Sequence, residues 1–155
     1  MAASPDAPRA QIQLTWVRPA GAWLAVVLVS PGVAWWVAQV AHLPLRPGTG
    51  LGVLWSLLGS PLLEELVYRA GVQRHANAYL RAARPGWTER RAGLWANALA
   101  TACFVLVHAP AHGVTALGWA VPAWVLGELF RQTGRVWPCV GLHAWFNASL
   151  WWASS

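Results

Sequence analysis

The chain has 155 residues, of which 57% are hydrophobic and 10% charged, where a soluble domain carries roughly 25% charged residues. Mean hydropathy is +0.41, and a water-soluble core of this length cannot bury so many apolar side chains, so a single membrane-embedded domain is expected. The formal charge of +6 comes from eleven Arg and five acids; the Arg fall in short gaps between apolar runs, which is the pattern of cytoplasmic loops and argues against nucleic acid as a partner.

Residues 1–19 are polar, with Pro5, Pro8, Arg9 and Arg18, and read as a cytoplasmic tail. Residues 20–43 are the first apolar run, longer than the roughly 7–15 residues of a signal-peptide core, and read as a retained transmembrane anchor. A Pro- and Gly-rich turn over 44–50 leads into a second run at about 51–73, which holds Glu64, Glu65 and Arg69. Pro61 inside it removes a backbone donor and is expected to kink or restart the helix. The stretch 74–91, with Arg74, Arg81, Arg84, Arg90 and Arg91, reads as a polar loop. Three more runs follow at about 92–108, 114–130 and 136–152. Together these spell an all-α, polytopic membrane helix bundle of about five transmembrane helices. The N-terminal tail, the 74–91 stretch and the 131–135 link hold nine of the eleven Arg on one side, and Arg46 stands alone on the other. The positive-inside rule then places the N-terminus in the cytoplasm. Many of the thirteen Trp, Trp16, Trp23, Trp87, Trp137, Trp151 and Trp152 among them, lie near run ends, where interfacial aromatics belong. Cys103 and Cys139 show neither metal-ligand spacing nor a disulfide framework and read as small buried side chains. Abundant Ala, Gly and Arg with no Lys point to a GC-rich bacterial source.

An ionisable side chain at the centre of a span costs about 2.5–3.5 kcal/mol on insertion scales, so something must offset it. Glu65 and Arg69 are four apart and share a helix face, where a salt bridge explains both. Glu64 is rotated about 100° from Glu65 and is left without a partner on its own helix. Phe104 and His108 are one turn apart near the end of the third run, and His143 and Asn147 are one turn apart in the fifth. Singly, each His reads as a packed or interfacial side chain, and His143 with Asn147 as interhelical hydrogen bonding. Jointly, three spans supply a carboxylate, two imidazoles and an amide, which can activate a water and stabilise an oxyanion. Two Glu and two His can equally bind a metal such as zinc, although no His-Glu-x-x-His helix is present. His112 follows His108 by four residues across Pro110, which argues against a shared face. Glu128 beside Arg131 reads as an interfacial ion pair. Counting about 1.5 Å per residue puts Glu64 and His143 at similar depth, roughly 10–15 Å from the cytoplasmic side, with His108 deeper.

Glu64-Glu65-x-x-x-Arg69, then Phe104-x-x-x-His108, then His143-x-x-x-Asn147, on successive apolar runs with a further run between the second and third motifs, resembles the CPBP family of CAAX proteases and bacteriocin-processing enzymes. The resemblance covers residues 51–152, the catalytic membrane core of the chain. It implies a glutamate-dependent intramembrane endopeptidase with no metal and no cofactor, in which Glu64 and His108 activate the attacking water and His143 and Asn147 stabilise the oxyanion. Arg69 would support the site through Glu65, and Phe104 belongs to the same supporting set. The implied partners are membrane lipid and a peptide or protein cut near the membrane: a C-terminal sorting anchor, a bacteriocin leader, or a prenylated tail. The implied location is a bacterial inner membrane, with the chain passing through it several times. A non-catalytic role in bacteriocin immunity or scaffolding is the alternative, and retention of all four polar site residues argues against it. A transporter or proton relay would more often show repeated halves, which are absent here.

Overall fold

The structure is a computed structural model that describes residues 20–41 and 50–153. The tail over 1–19, the end of the first run and most of the turn over 44–50 lie outside the described residues. Every regular element among the described residues is helical. Five helices are distinguished here: α1 (Ala20–Ala41), α2 (Leu51–Ala83), α3 (Glu89–His112), α4 (Ala120–Thr133) and α5 (Val136–Ala153). A 3₁₀ stretch, Gly113–Trp119, joins α3 to α4. Among the described residues, the continuous helical runs Leu51–Ala83 and Glu89–Thr133 are the two that are long and apolar enough to cross a membrane; Gly21–Val37 in α1 is a shorter apolar segment.

The second helix corrects the reading of 74–91 as a loop. It continues through Arg74–Ala83, because Ala, Leu and Arg are strong helix formers whatever their charge. The break comes at Arg84-Pro85-Gly86, where proline restrains the preceding residue. Thr88 then caps α3, its Oγ1 accepting from the Arg91 backbone N–H at 3.2 Å. At 33 residues, α2 is about 50 Å long, well beyond the roughly 30 Å hydrocarbon core. Its Arg-bearing last turns therefore project past the apolar zone. Two stretches of α2, Trp55–Gly59 and Leu66–Gln73, are wound as wider π turns, a rare geometry that concentrates at functional sites. The first ends just before Pro61, which is buried inside the continuing helix.

Helix α3 also differs from its expected bounds. It runs through Pro110 to His112, although Pro110 withholds the N–H that the Leu106 carbonyl would otherwise receive. His108 and His112 therefore do share a face, with ring centroids 6.2 Å apart. Gly113 (φ 58°) follows, and Gly134 (φ 64°) ends α4 with its N–H on the Phe130 carbonyl at 2.7 Å.

α3 packs between α2 and α4, α5 lies against α2 and α4, and α1 lies along α5. The face of α3 turned inward is a ladder of small residues, Ala92, Ala96 and Ala100, each fully buried. Such ladders let helix backbones approach where lipid removes the hydrophobic drive. One apolar cluster joins Leu126, Leu129 and Phe130 to Cys139 and Leu142; a second joins Tyr68, Phe104 and Ala123. The Trp145 Nε1–H holds α1 by donating to the Val27 carbonyl at 3.0 Å and Ser30 Oγ at 2.9 Å.

The distribution of polarity is inverted relative to a water-soluble fold. Arg69, Glu65 and Asn97 are among the largest fully buried side chains, while Leu28, Trp36, Leu58, Leu106, Val121 and Trp152 are exposed. Apolar exposure on this scale needs a non-aqueous surrounding.

Candidate active site

The site starts from one buried guanidinium. Arg69 sits in the second π turn of α2, fully buried. Its Nε–H donates to Glu65 Oε2 at 2.8 Å, one Nη to Gln73 Oε1 at 3.2 Å, and the other to the Ala123 carbonyl of α4 at 3.0 Å. Gln73 in turn donates to the Gly127 carbonyl at 2.8 Å. Asn97 of α3 donates to the Trp124 carbonyl at 3.1 Å and accepts from Thr101 at 3.4 Å. Gly127 has to be glycine, since a Cβ there would collide with the Asn97 amide and crowd the Arg69 guanidinium. Burial without partners would be costly for each of these groups, and the network supplies the partners.

Glu65 joins this scaffold to the fifth helix. Its second oxygen, Oε1, lies 2.9 Å from His143 Nδ1. Because Glu65 is ionised against Arg69 and a carboxylate only accepts, the Nδ1 atom carries the proton. The other ring nitrogen, Nε2, then faces Glu64, whose Oε2 is 3.7 Å away. That separation is longer than a direct hydrogen bond. Glu64 is partly exposed and also accepts a hydrogen bond from Ser60 Oγ, one turn earlier. The adjacent acids are thus divided: Glu65 faces inward to Arg69 and His143, and Glu64 faces the accessible side of the same imidazole.

His108 approaches through aromatic packing. Its ring stacks on Phe104 at 4.3 Å, and Phe104 presents an edge to His143 at 6.3 Å and to Tyr68 at 5.1 Å. His108 Nδ1 is 2.8 Å from the Phe104 carbonyl, and because a carbonyl only accepts, Nδ1 donates there. Among the described residues His108 forms no ion pair with Glu64. Asn147, one turn beyond His143, donates from Nδ2 to the Ser56 carbonyl of α2 at 2.8 Å. Glu64, Glu65, Arg69, Phe104 and His143 therefore meet directly, His108 joins across the Phe104 ring, and Asn147 is tied to α2 further along. Glu128 pairs with Arg131 at 2.5 Å, away from this cluster.

Gln73, Asn97, Thr101 and Ser60 belong to the same assembly and were not singled out by sequence. Gln73 and Thr101 lie four residues after Arg69 and Asn97, and Ser60 four before Glu64, a spacing that was visible. Among the described residues no group of three or more His, Cys, Asp or Glu is arranged to hold a metal ion.

The sequence profile described as type II CAAX prenyl endopeptidase Rce1-like matches residues 46–149, which include every residue of the site. No curated protein and no solved structure matches the chain. The chain belongs to the Rce1-like family of CAAX proteases, membrane-associated enzymes within the CPBP group, and this points to an intramembrane endopeptidase.

Arg69→Ala should lower stability by about 3–5 kcal/mol, the usual cost of stranding one partner of a buried pair. Thermal unfolding in detergent checks this; a variant as stable as the wild type would mean that the guanidinium does not hold the helices together.

Proposed function

We propose that this member of the Rce1-like family is a glutamate-dependent intramembrane endopeptidase that hydrolyses a peptide bond in a membrane-associated substrate. The observation that carries the reading is the placement of the Glu64 carboxylate opposite the Nε2 of an imidazole whose Nδ1 is held by Glu65. In this reading Glu64 takes a proton from a water, and the water oxygen attacks the scissile carbonyl carbon. His108, with Nδ1 engaged by the Phe104 carbonyl, orients that water through Nε2. His143 donates from Nε2 to the developing oxyanion, and Asn147 donates its remaining amide hydrogen. Collapse of the tetrahedral intermediate breaks the C–N bond, and Glu64 returns its proton to the leaving amine. Arg69 and Glu65 keep the imidazole in place and do not touch substrate.

The substrate in this reading is a polypeptide cut close to the bilayer. Its candidates are a C-terminal sorting anchor, a leader peptide and a prenylated tail. Co-expression of the enzyme with each candidate tests the assignment. Glu64→Gln, His108→Ala and His143→Ala should each slow cleavage by about 10²–10⁴-fold while the protein still folds. Normal cleavage by all three variants would refute the mechanism.

The same reading makes the chain a multi-pass protein of a bacterial inner membrane, with five spans and a cytoplasmic N-terminus, as the asymmetry of its Arg supports. A membrane-impermeant maleimide should label Arg46→Cys on intact cells and label Arg84→Cys after permeabilisation alone. Equal labelling of both on intact cells contradicts the topology.

A further inference from the structure

Pro61 has a consequence on α5. At the end of the first π turn of α2, the Ser60 N–H reaches back five residues to the Trp55 carbonyl. Ser56 is next in line. In the α register its carbonyl would receive the Ser60 N–H, which is already given to Trp55. In the π register it would receive the N–H of residue 61, and proline has none. Both regular helical donors are therefore denied to the Ser56 carbonyl, which lies on an exposed face of α2, where lipid makes an unpaired polar group costly. The partner that takes its place is the Asn147 amide, donating from Nδ2 at 2.8 Å. The Asn147 side chain makes no other hydrogen bond among the described residues, so this contact orients its amide.

We propose that Pro61 is a positioning residue for Asn147: by withholding a backbone N–H it leaves the Ser56 carbonyl to the Asn147 amide, which fixes the side chain and aims its second N–H. Substitution by alanine restores a backbone donor at position 61. Continuing the π register of the Ser60-to-Trp55 bond by one residue, that donor reaches the Ser56 carbonyl, and the Asn147 amide is released to rotate. The helix itself gains from the change, because alanine is the better helix former. Lost activity in Pro61→Ala with a Tm at or above wild type would thus come from a freed Asn147 and not from a damaged fold.

For catalysis the proposal rests on the assignment of Asn147 to the oxyanion, so the test has one arm that needs no cleavage. In the full chain with ¹⁵N-asparagine in lipid micelles, the Asn147 side-chain amide is identified by its disappearance in Asn147→Ala. It should resist hydrogen exchange in the wild type and exchange freely in Pro61→Ala. Equal protection in the two overturns the proposal whether or not any substrate is cut. In the cleavage arm, Pro61→Ala should reduce kcat by roughly 10–100-fold with KM little changed. Added to Asn147→Ala it should do nothing more, as expected of two residues acting through one contact. Multiplying effects, or full activity in Pro61→Ala beside an impaired Asn147→Ala, would overturn it. Wild-type cleavage untouched by Asn147→Ala would defeat the catalytic assignment of Asn147 and leave the exchange arm standing.

Discussion

A guanidinium buried among helices dictates much of this molecule. Arg69 has no water to solvate it, so its surroundings must provide a countercharge and acceptors. Glu65 supplies the charge one turn back, Gln73 an acceptor one turn on, and the Ala123 carbonyl a third contact from α4. Each requirement constrains something else. The Ala123 contact fixes α4 against α2, and Gly127 lacks a side chain where the Asn97 amide and the Arg69 guanidinium take up the space. The free oxygen of Glu65 then reaches across to α5 and takes hold of His143.

That chain of contacts explains why a bundle with an apolar exterior has a polar interior. Lipid gives no hydrophobic reason for these helices to associate, so small side chains and hydrogen bonds must do it. The alanine ladder on α3 allows close approach, and the network through Arg69, Gln73 and Asn97 specifies which faces meet. The reacting groups sit at the edge of this network. His143 is held from its buried side, and Glu64 meets it from the accessible one. The rigid part and the chemical part share one imidazole.

The sequence revealed the parts of this plan that are local. Glu65 and Arg69 could be paired from their four-residue spacing, and the apolar runs marked the helices. The charged stretch after Gln73 misled, because charge was taken for a loop where alanine and leucine continue the helix to Ala83. His112 was separated from His108 on account of Pro110, although a proline that late in a helix leaves the common face intact. What stayed illegible is tertiary. The bond from Glu65 to His143 joins residues 78 apart, and no helical periodicity announces it. Nothing in the spacing marks Asn97 either, because its place depends on the missing side chain of Gly127 on another helix. Asn147 was legible as a turn-mate of His143, but its hold on Ser56 depends on a π turn and on Pro61 acting together.

The central claim is that Glu65, charged against Arg69, holds His143 by Nδ1 and turns Nε2 toward Glu64. Nitrogen NMR of the full chain in bilayers, with ¹⁵N-histidine and the His143 signals identified by their loss in His143→Ala, tests it most directly. The account predicts a protonated Nδ1 at neutral pH that responds to Glu65→Gln. A bare Nδ1, with the proton on Nε2 alone and no response to Glu65→Gln, would contradict it.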